Sequence, residues 1–492
     1  MTQETERPHG SSRVVVLAVC TGSALTALDL TIVNVALPRI GADLDTGLSG
    51  LQWVVNAYTL AFASLILTAG GLADRLGDRA VFATGVGLFT AGSLGCGLAP
   101  DSGWLVGSRM VQGVGAAMIL ATSMSLLART LSGSRRAAAI TAWVTVGTLA
   151  ANLGPIVGGV LVETLGWRAI FLVNVPIGLA LLAVLLRITA PAPPAGAAAR
   201  PLDRGGAVLA ALTLFALHHA VVTGAATGWG AGPWTALGVA VAAGTGFVAL
   251  QRRRGERALL DLRLFRIPTF SGAIVLSLLS RMASFGALPF FVLWFEGVVG
   301  LSPVATGGYL LALSLPVLAV ALVSGRLQQL APARTLIAAG NACALVGSLA
   351  LLGVDAQAGP WTVVPGFVLL GLGAGLVFPS LMGLAVGVVD PARAGIASGT
   401  ANTFFPLGTA VGVAGFGAVL TAAVDGAGLS AANRAAALTG VPVDPAELAA
   451  VAGAVESGLR VVAAGMAVLS AIAVVVALTT VRDTDRVPTA RR

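Results

Sequence analysis

The stretch 70-GGLADRLGDRAVFATG-85 recurs in diverged form as 325-GRLQQLAPARTLIAAG-340, and that recurrence decides the fold. At an offset of 255, without a gap, Gly70 falls on Gly325, Leu72 on Leu327, Arg79 on Arg334, Ala83 on Ala338 and Gly85 on Gly340. Working outward, 112-QGVGAA-117 falls on 370-LGLGAG-375 at offset 258, and 153-LGPIVG-158 on 407-LGTAVG-412 at offset 254. Sequence rich in alanine and glycine matches itself cheaply, so the weight lies in three ordered matches at nearly one offset. They imply a duplicated six-helix half. The copies differ in chemistry, since Asp74 falls on Gln329 and Arg109 on Phe367, which puts the ionisable working parts in the first half.

The 492 residues are 57% hydrophobic and 10% charged, with a mean hydropathy of +0.92, against roughly 25% charged in an ordinary soluble domain. This composition implies an integral membrane protein. Its 64 glycines suit a moving helical bundle, because small residues let helices approach closely in lipid. All 29 basic residues are Arg, and a phosphate-cradling P-loop needs its Lys, so the chain does not carry that kind of ATPase. Cys20, Cys96 and Cys343 fall in separate apolar segments with no metal or redox spacing and read as packing residues. Residues 1 to 12 are polar and the first apolar run is too long for a signal peptide core, so no cleaved leader is expected.

Apolar runs of roughly 20 residues number fourteen: 14–38, 51–70, 80–99, 104–127, 137–161, 169–187, 206–223, 234–250, 269–294, 304–325, 335–354, 362–384, 395–422 and 460–481. The expected fold class is therefore an all-α membrane protein with 14 transmembrane helices. An even count puts both termini on one side. With that side cytoplasmic, 23 Arg lie inside and only Arg39, Arg168, Arg434 and Arg460 outside, leaving Arg109 and Arg281 in the membrane. The asymmetry satisfies the positive-inside rule. The cluster 252-RRRGER-257 reads as a topology anchor and not a nucleic-acid site, 188–204 as a Pro-rich connector, and 423–459 as a long outside loop with a helix start at Asp444-Pro445. The expected division is a six-helix bundle over 1–188, a connector with two extra helices over 189–267, and a second six-helix bundle over 268–492.

Several motifs then point to a family. The helix 1 run 28-LDLTIVNVALP-38, the loop 70-GGLADRLGDR-79, the helix 4 run 109-RMVQGVGAA-117 and the helix 5 run 154-GPIVGG-159 resemble the major facilitator superfamily. The resemblance is specifically to its fourteen-helix drug:proton antiporter branch of the EmrB and QacA type. The segment 166-GWRAIFLVNVPIG-178 is also similar. The resemblance implies proton coupling at Asp29 and Arg109, a gating loop built on Gly70, Asp74, Arg75, Gly77 and Arg79, and a helix 5 export motif of Gly154, Pro155, Gly158 and Gly159. The sequence departs from the pattern at Asp78, where the family usually has a base, so the latch is expected to be differently paired.

The residues carry a physical reading of their own. A charge at a helix centre costs about 2.5 to 3.5 kcal/mol even on insertion scales, so such residues default to function. Asp29 lies roughly 14 Å and Arg109 roughly 9 Å from the outer ends of their segments at 1.5 Å per residue, so the two can meet. Desolvation favours a neutral carboxyl and a nearby guanidinium favours the ionised one, so small movements switch protonation. A fixed structural ion pair would use the same two residues. Asp29 is the only acid well inside an expected span. Asp74 is expected at the start of helix 3 or paired with an Arg of a facing helix, and Pro155 is expected to kink helix 5. Arg281, near the middle of helix 9, should find water, a carboxylate or substrate; pairing with Asp29 would hold that aspartate ionised. Asn34, Gln52, Trp53, Asn56, Asn152, Arg281, Asn402, Phe404 and Phe405 are candidates for a substrate cavity, with helix packing as the alternative. His218 and His219 read as local packing and Glu296 as surface.

The functional expectation is a non-enzymatic exporter in the cytoplasmic membrane, moving a small amphipathic drug out against protons, with no cofactor and no metal, as a monomer with both termini cytoplasmic. The scarcity of membrane acids points to a neutral or acidic substrate. A proton-coupled importer of a metabolite and a non-transporting membrane sensor remain as alternatives.

Overall fold

The computed structural model describes residues 9–131, 133–187, 203–227, 230–255, 262–388, 394–439 and 447–482. Among them every regular element is helical: α1 (His9–Asp43), α2 (Leu48–Leu76), α3 (Asp78–Gly97), α4 (Ser102–Thr130), α5 (Gly133–Leu165), the short α6 (Ala169–Leu172) and α7 (Asn174–Arg187). Then come α8 (Arg204–Thr227) and α9 (Ala231–Arg254), followed by α10 (Pro268–Phe285), α11 (Leu288–Leu293), α12 (Pro303–Leu330), α13 (Ala333–Ala350), α14 (Val364–Gly387), α15 (Ala394–Gly426), α16 (Ala431–Thr439) and α17 (Leu448–Thr480). Eleven helical stretches among the described residues are long and apolar enough to cross a membrane. The remaining expected segments fall on α2, α5 and α8, helices of 29, 33 and 24 residues.

Helices α1 to α7 pack on one another, as do α10 to α17, while α8 and α9 pair and α8 rests against both α2 and α15. The recurring glycines explain the internal symmetry. A methyl on Gly113 would sit 2.4 Å from Tyr58 O, and one on Gly371 would sit 2.2 Å from Leu313 O, so α4 crosses α2 as α14 crosses α12. Gly85 likewise faces Gly115 O, and Gly340 faces Gly373 O, at 2.9 and 2.7 Å. Arg79 donates to the carbonyls of Leu185 (from Nε at 3.1 Å) and Leu186 at the end of α7. Its repeat mate Arg334 donates to Leu478 O at the end of α17. Both complement exposed helix C-termini.

Among the described residues, the named contacts between the two groups gather towards one end. One apolar cluster there draws Ile32, Leu51 and Phe171 from the first group together with Phe291, Leu310, Val413 and Val455 from the second. Gln52 Nε2 donates to Val413 O across the seam at 3.3 Å, and Glu163 Oε2 accepts from Val304 N at 3.3 Å. Towards the end carrying the termini, the clusters separate by group. Phe82, Phe89 and Leu181 belong to one, and Phe270, Ile337 and Leu381 to another. Among the described residues the two groups are joined at the end opposite the termini, and towards the terminal end each keeps an apolar cluster of its own.

Several expectations are corrected. The segment 269–294 lies within one membrane-length stretch, Pro268–Val298, but that stretch is interrupted: the chain breaks after Phe285, resumes as α11 and turns through a π-helical stretch, Trp294–Val298. That turn buries Glu296 to 7% exposure in the sealed end instead of leaving it at the surface. The last span begins at Leu448, twelve residues before the expected start, which embeds Glu456 at 9% exposure, accepting from Ala356 N at 2.7 Å. The loop 423–459 is correspondingly short of loop. Helix α16 lies over the sealed end against α1, α2 and α17, while Asp444-Pro445 falls outside the described residues. So do residues 188–202 of the connector and residues 256 and 257 of the basic cluster. Asp203, at 5% exposure, closes the inserted pair by accepting from Gln251 Nε2 at 2.7 Å and Arg254 Nη1 at 2.6 Å.

Candidate functional site

Asp29 and Arg109 meet. Arg109 Nη1 donates to Asp29 Oδ2, and both side chains have zero exposure. Helix α1 supplies the carboxylate and α4 the guanidinium, with the crossing of α4 on α2 at Gly113 bringing Arg109 Nε within 3.0 Å of Val54 O. Helix α2 also lays the Tyr58 ring 4.5 Å from the guanidinium carbon, while Phe171 lies 5.7 Å away on its own short helix α6. These rings shed water from the pair and meet the cation with their negative faces.

Three side chains that sequence reasoning passed over complete the network. Gln112 accepts from Arg109 Nη1 at 2.9 Å and donates through Nε2 to Asp29 Oδ1 at 3.1 Å and Ser93 Oγ at 2.7 Å. Asn174 Nδ2 donates to the same Oδ1 at 3.3 Å. A visible signal existed for both. Gln112 stands three residues after Arg109 and so shares its helix face, and Asn174 is polar inside an apolar run. The network is incompletely satisfied, because Arg109 Nη2 and Asn174 Oδ1 are buried without a partner among the described residues. A buried donor and acceptor left open in this way cost free energy and give the pair somewhere to move.

Helix 5 explains its own motif. Pro155 lies inside α5 and cannot donate to the carbonyl four residues back, Ala151 O; Thr31 Oγ1 of α1 lies 2.9 Å from that oxygen, and 3.1 Å from Leu28 O. A methyl on Gly158 would meet Ile32 O at 3.0 Å, and one on Gly159 would meet Pro303 O of the other group at 2.5 Å. Gly154 is equally tight, against Thr31.

The gating loop is less assembled. Asp74 is not at the start of α3 but in the last turn of α2, and its side chain, like that of Arg75, lies outside the described residues. The acid that opens α3 is Asp78, 5% exposed and accepting from Ser125 Oγ of α4 at 2.6 Å. Gly77 takes φ +86°, which lets one residue turn the chain between α2 and α3, whereas among the described residues Gly70 has nothing within 4 Å of its missing methyl.

The cavity candidates scatter. Gln52 bridges the sealed seam. Trp53 packs on the inserted helix α8, with ring centres 6.2 Å from Phe215 and 5.9 Å from His219. Asn34 Nδ2 returns to Thr31 O at 3.2 Å, and Asn56 is fully buried with neither amide atom partnered among the described residues. The side chains of Asn152 and Asn402 lie outside the described residues. Phe404 and Phe405 are half-buried, and Arg281 does not reach Asp29: its Nε donates to Thr409 Oγ1 at 3.1 Å. A separate cavity of about 310 Å³ opens between α2, α4 and α8, walled by Ala57, Leu60, Met110, Leu212 and Phe215 with Ser64 as its polar member.

Comparison with known proteins adds to the geometry. The model of the Major Facilitator Superfamily matches residues 19–413. The chain is 35% identical to the methylenomycin A resistance protein of Streptomyces coelicolor over 86% of this chain and 90% of that one. It is also 35% identical to the cephamycin export protein CmcT of Amycolatopsis lactamdurans, over 96% and 94%. The tetracenomycin C resistance and export protein of Streptomyces glaucescens is 35% identical over 73% and 66%. Among solved structures, a bacterial homolog of the human lysosomal transporter Spinster superposes with a TM-score of 0.69 at 18% identity, covering 98% of this chain and all of that one.

Proposed function

The chain belongs to the Major Facilitator Superfamily, and on that premise we propose that it exports an amphipathic drug or antibiotic across the cytoplasmic membrane by proton-coupled alternating access, conferring resistance. The observation that carries the reading is the dry Asp29–Arg109 pair, the kind of intramembrane ionisable couple that proton relays use. Support for the cargo comes from similarity to proteins named for methylenomycin resistance and for cephamycin and tetracenomycin C export. The reading counts α2, α5 and α8 with the eleven apolar stretches as fourteen crossings, as in the EmrB and QacA branch. It divides the chain into bundles over 1–188 and 268–492 joined by 189–267, and puts both termini in the cytoplasm on the strength of the Arg asymmetry.

Mechanistically, we take the state in which the groups are joined at the end opposite the termini as the inward-open one. When the bundles tilt the other way, the seam at Gln52 and Gly159 parts and the Asp29 network gains a path to the outside. A proton arriving there neutralises Asp29, and Arg109 keeps its bond to Val54 O while its ionic partner is lost. Return to the inward-open state delivers the proton to the cytoplasm as the pair re-forms. Arg79, tied to the end of α7, holds the gating loop at the inner mouth, where Gly70, Asp74, Arg75 and Gly77 close against the second bundle in the opposite state. The cycle needs no cofactor and one chain suffices.

The test is flux in proteoliposomes under an imposed pH gradient, alongside cells loaded with a candidate drug. Export predicts depletion of the drug that a protonophore reverses. An importer gives accumulation and a sensor gives no flux, and either result removes this reading.

A further inference from the structure

Arg281 sits on α10 near the middle of the membrane span, where a lone charge is expensive. Its guanidinium carbon lies 4.2 Å from the ring centre of Phe285 and 5.1 Å from that of Phe378 on α14, and Phe405 of α15 stands edge-on to Phe378 at 5.2 Å. Gly408 allows this convergence, since a methyl there would come within 3.0 Å of Arg281 Cβ. Among the described residues no carboxylate reaches Arg281, the ionic partners of the other arginines being Asp29, Asp43, Asp203, Asp425 and Glu456. Thr409 engages only Nε, and the side chain is half-buried, not sealed.

A guanidinium cannot shed its proton in a protein. With Nε occupied by Thr409, its Nη1 and Nη2 edge remains as a two-donor fork of the shape that binds a carboxylate bidentately. We propose, resting on the export reading, that Arg281 with Phe285, Phe378 and Phe405 is a substrate subsite for the carboxylate of an aromatic or otherwise apolar acid. The rings lie close to the guanidinium and would supply apolar surface for the body of the ligand. The first bundle reinforces the selectivity, because Asp29 is already neutralised by Arg109 and offers no free charge to a cationic drug. A cation entering here would meet an uncompensated positive charge.

Purified full-length protein is titrated with three probes sharing one ring system: 2-naphthoate, 2-naphthamide and 2-naphthyltrimethylammonium. Wild type is expected to bind naphthoate about tenfold or more tightly than the amide, the worth of a charge-assisted hydrogen-bonded contact, with the ammonium weakest. Arg281→Gln, checked for a monodisperse elution profile, removes the preference for the acid, and Arg281→Lys keeps part of it, which guards against a folding failure of the first variant. Equal or tighter binding of the amide or the ammonium overturns the subsite, as does a preference unchanged in Arg281→Gln, or no naphthoate binding at millimolar concentration. Flux distinguishes the two readings. Acid-selective binding with no gradient-driven transport sinks export and spares the subsite, whereas gradient-driven export of cations alone does the reverse.

Discussion

Asp29 and Arg109 face each other with no exposed atom on either side chain, and the free energy of such a pair is asymmetric. Removing one partner of a buried pair costs about 3 to 5 kcal/mol, because the other charge is left uncompensated, while removing both costs far less. Arg109→Leu should therefore lower the thermal stability of the detergent-solubilised protein strongly, and Asp29→Asn added to it should restore most of the loss. A double-mutant cycle by thermal unfolding reads this coupling; additive losses would show that the two groups do not depend on each other.

Asp29→Asn alone keeps the shape and the acceptor for Arg109 but cannot take up a proton. We expect it to abolish transport driven by a pH gradient while leaving downhill equilibration of the drug measurable. Proteoliposome flux with and without the gradient gives the comparison, and wild-type pumping by the variant would end the proton assignment.

The glycines separate stability from turnover. Gly113→Ala forces a methyl to within 2.4 Å of Tyr58 O, a backbone atom that cannot yield cheaply, so about 1 to 3 kcal/mol of overpacking strain is expected. Gly70→Ala meets nothing within 4 Å and should leave the melting temperature unchanged or slightly raised, yet slow transport if Gly70 packs against the second bundle in the opposite state. Calorimetry and flux on the two variants should rank them in opposite orders.

These crossings also explain what could be read from the sequence. Gly85, Gly113, Gly340 and Gly371 each exclude a side chain for a steric reason, so their spacing survives divergence and exposes the duplicated half before any coordinates. Asp29 and Arg109 were legible because charge in an apolar run is conspicuous. Gln112 and Asn174 carried a weaker signal, since an amide in an apolar run reads equally as packing until its partners are known. Glu296 and Glu456 were misplaced because hydropathy marks where a run ends and carries no sign of a π-helical turn or of a helix running on past the apolar stretch. Arg281 was legible as costly, but not its setting against Phe285 and Phe378 with no carboxylate beside it among the described residues, because those rings come from two different helices.

The inserted pair hinges on Asp203, whose carboxylate accepts from Gly206 N, Gln251 Nε2 and Arg254 Nη1. Asp203→Ala removes the bond that caps the first turn of α8 together with the tie to Gln251 and Arg254 of α9. A cap alone is worth about 0.5 to 2 kcal/mol, so a clear drop in thermal stability is expected, with proteolysis accelerated between α8 and α9. Asp203→Asn should recover the cap and lose only the ionic part. Unchanged protease sensitivity in Asp203→Ala would show that α8 is held by α2 and α15 instead.

The seal at the end opposite the termini is set by Gly159 and Gly307, where α5 and α12 approach backbone to backbone. A methyl on Gly159 would lie 2.5 Å from Pro303 O, and one on Gly307 would lie 2.4 Å from Pro155 O. Neither contact can relax by rotating a side chain, so Gly159→Leu must push the helices apart, and the cheapest way is to adopt the state in which this end is open. A bias of about 1.4 kcal/mol already shifts such an equilibrium tenfold. Leu37, 1% exposed within the seal, reports the change: in a cysteine-free background, Leu37→Cys should react with a membrane-impermeant maleimide at least about tenfold faster when Gly159→Leu is present. Gly453→Leu, at an exposed site with nothing within 4 Å, is the control and should leave the rate unchanged. A folded Gly159→Leu variant with an unaltered labelling rate would mean that this seam is a permanent junction and that the bundles do not part there.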